Sequence, residues 1–131
     1  MAALKAIELE EDPILLVLSS DHFIGNQSQF IKVINSGIQY ANKKRLVTFG
    51  VVPDSPDTGY GYIKSENPLE GSSIIGSKIE SFIEKPDLNT AKKLIQDKKY
   101  TWNSGMFVFK ANVILQEIEK YNPKIITSLR L

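Results

Sequence analysis

The stretch between residues 14 and 52 does most to limit how this chain can fold. Ile14-Leu15-Leu16-Val17-Leu18 is a continuous apolar run bounded by Pro13 and by Ser19-Ser20-Asp21. That pattern predicts a central strand buried on both faces. Asn26 is placed to cap a helix over 27–41, in which Phe30, Val33, Ile34, Ile38 and Ala41 recur at helical spacing. From Arg45 to Val52, the apolar Val47, Phe49 and Val51 alternate with Thr48 and Gly50, as in a strand. Strand, helix, strand in this order predicts a βαβ unit with a right-handed crossover and parallel strands.

Residues 2–9 are rich in helix formers, with Leu4, Ile7 and Leu9 expected on one side. No cap residue precedes them, and Glu8, Glu10, Glu11 and Asp12 crowd the end where the helix dipole disfavours acids. Pro53, Pro56 and Gly59 predict a loop, followed by a short strand from Tyr60 to Lys64. Residues 65–77 are expected to be an exposed, mobile excursion. A strand follows over 78–84, then a helix to about Asp97 capped by Asp87 or Asn89. Tyr100 to Trp102 and Met106 to Phe109 are expected as separate short strands around an Asn103-Ser104-Gly105 turn. A last helix over 111–121 presents Val113, Ile114, Leu115 and Ile118, and Pro123 is expected to stop or kink it.

At 131 residues with 42% hydrophobic content, the chain is long enough for one cored domain. Sixteen Lys and Arg against 15 Asp and Glu leave a formal charge of +1. That balance creates no global field to attract nucleic acid or an anionic membrane, so neither is expected as a partner and any anion site must be local. The absence of cysteine excludes disulfides and thiolate metal sites. No apolar run approaches the roughly 20 residues needed to cross a bilayer, and Met1 to Asp12 does not read as a signal peptide. A soluble, cytoplasmic protein is expected.

Several residues have side chains suited to chemistry. Asp21 follows directly on the predicted strand, where open parallel sheets gather ligands. A carboxylate there suits a cation, and a phosphate-bridging magnesium ion takes only one or two protein carboxylates; taken alone, a helix or turn cap is the commoner explanation of the same residue. In Thr58-Gly59-Tyr60-Gly61-Tyr62 the glycines allow close backbone approach to a sugar ring, or merely a loop-to-strand turn. Glu84 can accept hydrogen bonds from vicinal sugar hydroxyls while Lys85 meets a phosphate as a point charge. Pro86 should hold Lys85 in an extended conformation, and the alternative is an exposed ion pair at a strand end. Asn103 offers both a donor and an acceptor, though Asn-Ser-Gly is also an ordinary turn. Trp102, Met106 and Phe107 fit a core better than a ligand platform.

Taken in order, Leu18-Ser19-Ser20-Asp21-His22, Thr58-Gly59-Tyr60-Gly61-Tyr62, Phe82-Ile83-Glu84-Lys85-Pro86 and Trp102-Asn103-Ser104-Gly105-Met106-Phe107 resemble the sugar-1-phosphate nucleotidylyltransferases. With Val47-Thr48-Phe49-Gly50-Val51-Val52-Pro53, the likeness is greatest to the mannose-1-phosphate guanylyltransferases. The resemblance spans nearly the whole chain. It implies an α/β fold of Rossmann-like type, with a mixed, mostly parallel sheet and flanking helices. It also implies that GTP and mannose 1-phosphate become GDP-mannose and pyrophosphate. Asp21 would be the Mg2+ ligand, Gly61 would offer its backbone to the hexose, and Glu84 and Asn103 would bind sugar hydroxyls. Lys85 would contact the sugar phosphate, and Asp21 with Lys85 would be the catalytic pair.

Two departures shape the expectation. Ser19-Ser20 stand where the family usually has Pro-Ala or Ala-Ala, and the family's glycine-rich, Arg-bearing loop for the triphosphate has no counterpart here. Residues 1–131 are therefore expected to form the central part of a nucleotidylyltransferase domain, holding mainly the sugar-phosphate half of the site. Alternatives are a non-catalytic scaffold or partner subunit of that fold, or an enzyme for another hexose 1-phosphate. An open sheet edge would favour homo-oligomers.

Overall fold

A computed structural model describes residues 1–69 and 74–129. The chain forms two compact units, one of Met1–Val47 with Phe107–Leu131, the other of Thr48–Met106.

In the first unit, α1 (Ala2–Ile7) leads to β1 (Ile14–Val17), followed by α2 (Gln27–Asn42). The Asn26 side chain accepts from the Gln29 amide at 3.0 Å, the cap that its position predicts. Ile34, Gly37 and Ala41 are buried along α2, with Phe30, Val33 and Ile38 half-buried beside them. Helix α1 is shorter than expected, and Ile7 and Leu9 lie exposed while Leu4 is half-buried. The unit closes with α4 (Ala111–Tyr121) and α5 (Pro123–Leu129). Pro123 opens a new helix after Asn122 rather than simply stopping the old one, as its fixed φ and missing N–H permit at a first helical position.

Strand β5 (Tyr100–Lys110) enters both units, and its last four residues pair with β1 in the first. The pairing is antiparallel, with Ile14 opposite Lys110 and Val17 opposite Phe107. Strand β1 is not buried on both faces as its composition suggests, because Leu16 and Val17 remain 40% and 41% exposed. Asp12 fastens the entrance of β1 to α4. Its carboxylate accepts from the Asn112 amide at 3.0 Å and from the Lys110 ammonium at 3.3 Å. Asp12 thus caps a helix whose own N-cap, Lys110, has no side-chain cap bond. The Asn112 amide, aided by Lys110, holds the Asp12 carboxyl below the usual carboxylate range.

The second unit is built on β2 (Val47–Val51), β3 (Tyr62–Ser65), β4 (Ile79–Ile83), α3 (Leu88–Leu94) and the first part of β5. Strand β3 lies between β4 and β5 and is antiparallel to both, with Tyr62 opposite Ile83 on one side and Trp102 on the other. Strand β2 also pairs with β5. The expectation of a mostly parallel sheet is therefore corrected: the pairings of β5 with β1 and β3, and of β3 with β4, are antiparallel. Strands β1 and β2, read as the parallel strands of one βαβ unit, each take β5 as partner. Apolar periodicity reports which residues are strand, not which strand lies beside which or in what direction.

Tyr62, Ala91 and Leu94 form the buried heart of this unit, with Ile83, Ile95, Tyr100 and Trp102 packed around them. Asp87, not Asn89, caps α3, accepting from the Thr90 amide and hydroxyl at 3.0 and 2.8 Å. Those bonds lower the Asp87 carboxyl from its ordinary value. The loop between β3 and β4 is closed at its base by the Glu66 amide donating to the Lys78 carbonyl at 2.8 Å. Residues 70–73 of the predicted excursion lie outside the described residues.

Asn103-Ser104-Gly105 is not a turn between two strands, because β5 runs unbroken through it. Gly105 takes φ of 71°, the left-handed conformation that lets one residue bulge out of a ladder. The Asn103 and Ser104 side chains accept from the Gly105 and Met106 amides at 3.3 and 3.2 Å. Side-chain oxygens of the same segment thus satisfy these two amides.

Candidate functional site

Register across three strands places Glu84, Gly61 and Asn103 in one row. Tyr62 lies opposite Ile83 and Trp102, so one step outward Gly61 faces Glu84 and Asn103. The Asn103 amide donates to the Gly61 carbonyl at 2.7 Å. A Cβ on Gly61 would lie 2.8 Å from Oε2 of Glu84 and 2.6 Å from Cζ of Phe82. Directly opposed residues of an antiparallel pair share a face, so the three project together. Neighbouring strands are about 4.8 Å apart, which spaces the outer members of the row by roughly 10 Å. That span accommodates a hexose ring with its hydroxyls.

The alternation of β3 sends Tyr60 and Tyr62 to the opposite face. There the Tyr60 ring packs on Trp102 with centroids 4.9 Å apart and planes tilted by 44°. The Tyr62 hydroxyl donates to the Asp57 carbonyl at 2.7 Å, and an Asp57 carboxylate oxygen accepts from the Gly59 amide at 2.6 Å. The loop leading to Gly61 is therefore held by its own side chains. Trp102 belongs to the core, as its type suggests, but its buried Nε1 has no hydrogen-bond partner among the described residues.

Asn103 has its side-chain oxygen engaged within the protein. Its Oδ1 is 3.0 Å from the Thr48 hydroxyl and 3.3 Å from the Gly105 amide. The amide oxygen is engaged inside the protein, and only the Nδ2 end is left for a ligand. Residue types alone did not reveal Thr48, whose hydroxyl lies 55 residues away in the chain.

Strand β4 ends at Ile83, and Glu84 and Lys85 are both exposed. Lys85 is not extended, as the following proline predicts, but has φ of 42°. A non-glycine residue there is strained by about 1–3 kcal/mol. The bend takes Lys85 out of strand alternation, so that it need not point away from Glu84. Pro86 is buried and anchors the turn. Among the described residues no carboxylate forms an ion pair with the Lys85 ammonium. An acceptor at Glu84, donors at Asn103 and a cation at Lys85 can together recognise a hydroxyl-rich, singly or doubly anionic molecule.

Asp21 belongs to the first unit, in an exposed turn past the end of β1. His22 beside it is exposed as well. No group of three or more His, Cys, Asp or Glu side chains is disposed to cage a metal among the described residues. A lone carboxylate fits a magnesium ion held chiefly by phosphate oxygens and water, and does not fit a site built wholly of protein ligands. No helix of the described residues is long and apolar enough to cross a membrane.

The nucleotidyl transferase family profile matches residues 1–130. A Klebsiella pneumoniae protein named mannose-1-phosphate guanylyltransferase is 44% identical over 126 residues, covering 96% of this chain and 27% of that protein. A protein of the same name from Escherichia coli strain K12 is 42% identical over 118 residues, covering 89% of this chain and 25% of its own length. The chain thus spans about a quarter of the length of these relatives. Among solved structures, a Helicobacter pylori protein described as mannose-6-phosphate isomerase superposes with a TM-score of 0.79 at 39% identity. That superposition covers 96% of this chain and 46% of the other. With its fold and nearly all its length accounted for in this way, the chain belongs to the nucleotidyl transferase family.

Proposed function

We propose that this chain carries the sugar-phosphate half of a mannose-1-phosphate guanylyltransferase site. The observation that carries the reading is the Glu84–Gly61–Asn103 row, with Lys85 at its end. Relatives of that name at 42% and 44% identity support it. In this reading Glu84 accepts hydrogen bonds from sugar hydroxyls and Asn103 donates to another. Gly61 lets the ring approach the backbone, and the Lys85 ammonium neutralises the 1-phosphate.

In the reaction, a phosphate oxygen of mannose 1-phosphate attacks the α-phosphorus of GTP. A new phosphorus–oxygen bond forms as the bond to the bridging oxygen breaks, giving GDP-mannose and releasing pyrophosphate. The residues named here act by holding the nucleophilic phosphate in line and by balancing its charge, not by covalent chemistry. Asp21 would supply a carboxylate to a magnesium ion, which when bound offsets negative charge on the phosphates. A cytoplasmic setting is proposed with this reading, since GTP must be at hand.

Calorimetric titration with mannose 1-phosphate tests the assignment. Binding is expected in the wild type and should weaken at least about fivefold in Lys85→Ala, the loss of one charge-assisted contact. Absence of binding at millimolar ligand, or equal affinity in the variant, would contradict it.

A further inference from the structure

The amide of Asn103 could in principle turn either end to a ligand, but its surroundings remove that choice. The Gly105 N–H lies 3.3 Å from Oδ1, and a backbone amide can only donate, so the side chain's oxygen must face it. The Thr48 hydroxyl approaches the same oxygen at 3.0 Å, and the Met106 carbonyl oxygen at 3.0 Å as well. Having one proton, it donates to one of these acceptors at a time. The Gly105 contact is local to the same strand, whereas Thr48 reaches in from another. Remove Thr48, and Oδ1 of Asn103 keeps a single hydrogen-bond donor among the described residues, two positions along its own strand.

We propose that Thr48 is a positioning residue whose hydroxyl pins Oδ1 of Asn103, so that the row presents N–H donors at one end and the Glu84 carboxylate at the other. The ligand's polarity is thereby prescribed. It must offer an acceptor lone pair at Asn103 and a hydroxyl proton at Glu84, an arrangement that reversed groups would not satisfy. The inference takes its ligand from the function proposed above, but the orientation of Asn103 is a property of the free protein and can be read without a ligand.

Thr48→Val keeps the shape and removes the donor, whereas Thr48→Ser keeps the donor. Three-bond NMR couplings of the Asn103 side chain, recorded without ligand, should report one rotamer in the wild type and in Thr48→Ser. They should report averaging in Thr48→Val. Affinity for mannose 1-phosphate should fall about three- to tenfold in Thr48→Val, the range for one lost hydrogen bond, and stay within about twofold in Thr48→Ser. Unchanged couplings in Thr48→Val overturn the proposal, as does unchanged affinity once Asn103 has been freed. If Thr48→Val does not fold, the wild-type couplings still decide, since averaging there would mean that nothing pins the side chain. Failure of the wild type to bind, with Asn103 freed only in Thr48→Val, would refute the functional reading and leave the positioning role intact.

Discussion

A methyl group on Gly61 would fall 2.6 Å from Cζ of Phe82 and 2.8 Å from Oε2 of Glu84. Both atoms are at the far ends of side chains, so the protein can accommodate the group by moving them. The expected cost of Gly61→Ala in stability is modest, about 1–2 kcal/mol. The effect on binding should be larger, because the carboxylate displaced is the one that would meet the sugar. Mannose 1-phosphate affinity should fall about tenfold or more, equivalent to about 1.4 kcal/mol. Calorimetry beside thermal unfolding separates the two effects, and an unaltered affinity would place the ligand elsewhere. At Lys85 the φ of 42° is a local strain held beside the buried Pro86.

At the scale of elements, the Asp12 carboxylate ties the start of β1 to the first turn of α4. Its pKa is lowered in the folded state, chiefly by the Asn112 amide. Stability from this charge is therefore present in full above the unfolded value, near 3.9. It is lost as pH falls through the lower folded value. Asp12→Asn should be less stable than the wild type at pH 7, and urea denaturation should find the gap closing as the medium is acidified below pH 4. A gap that stayed constant would mean that the charge contributes nothing. Unlike this long-range cap, local capping signals were the legible part of the sequence. Asn26 and Asp87 cap α2 and α3 because short polar side chains bond their own following amides. The direction of strand pairing was not legible, because an apolar alternation looks the same in parallel and antiparallel partners. The continuity of β5 was hidden for a related reason: Asn-Ser-Gly suits a turn, yet it can also sit within a strand, and only the partner strands decide which. Glu84, Gly61 and Asn103 were recognisable as residue types, but their alignment depends on a register across three strands that no single segment encodes. Thr48 was invisible for want of any local hint that its hydroxyl meets Asn103.

For the molecule as a whole, the candidate residues fall in both units, with Asp21 in one and the Glu84–Gly61–Asn103 row in the other. Strand β1 pairs with β5 alone among the described residues, and Leu16, Val17 and Leu18 are 40%, 41% and 48% exposed. An apolar strand with a free edge invites association. Sedimentation velocity should find concentration-dependent association that Leu16→Lys reduces, and a strictly monomeric wild type would contradict this. The most direct test of the central claim is a 1H–15N spectrum of the labelled protein titrated with mannose 1-phosphate. The largest shifts should fall together on Gly61, Glu84, Lys85 and the amide groups of Asn103. Unmoved resonances at saturating ligand, or shifts confined to segments such as α4 and α5, would contradict it.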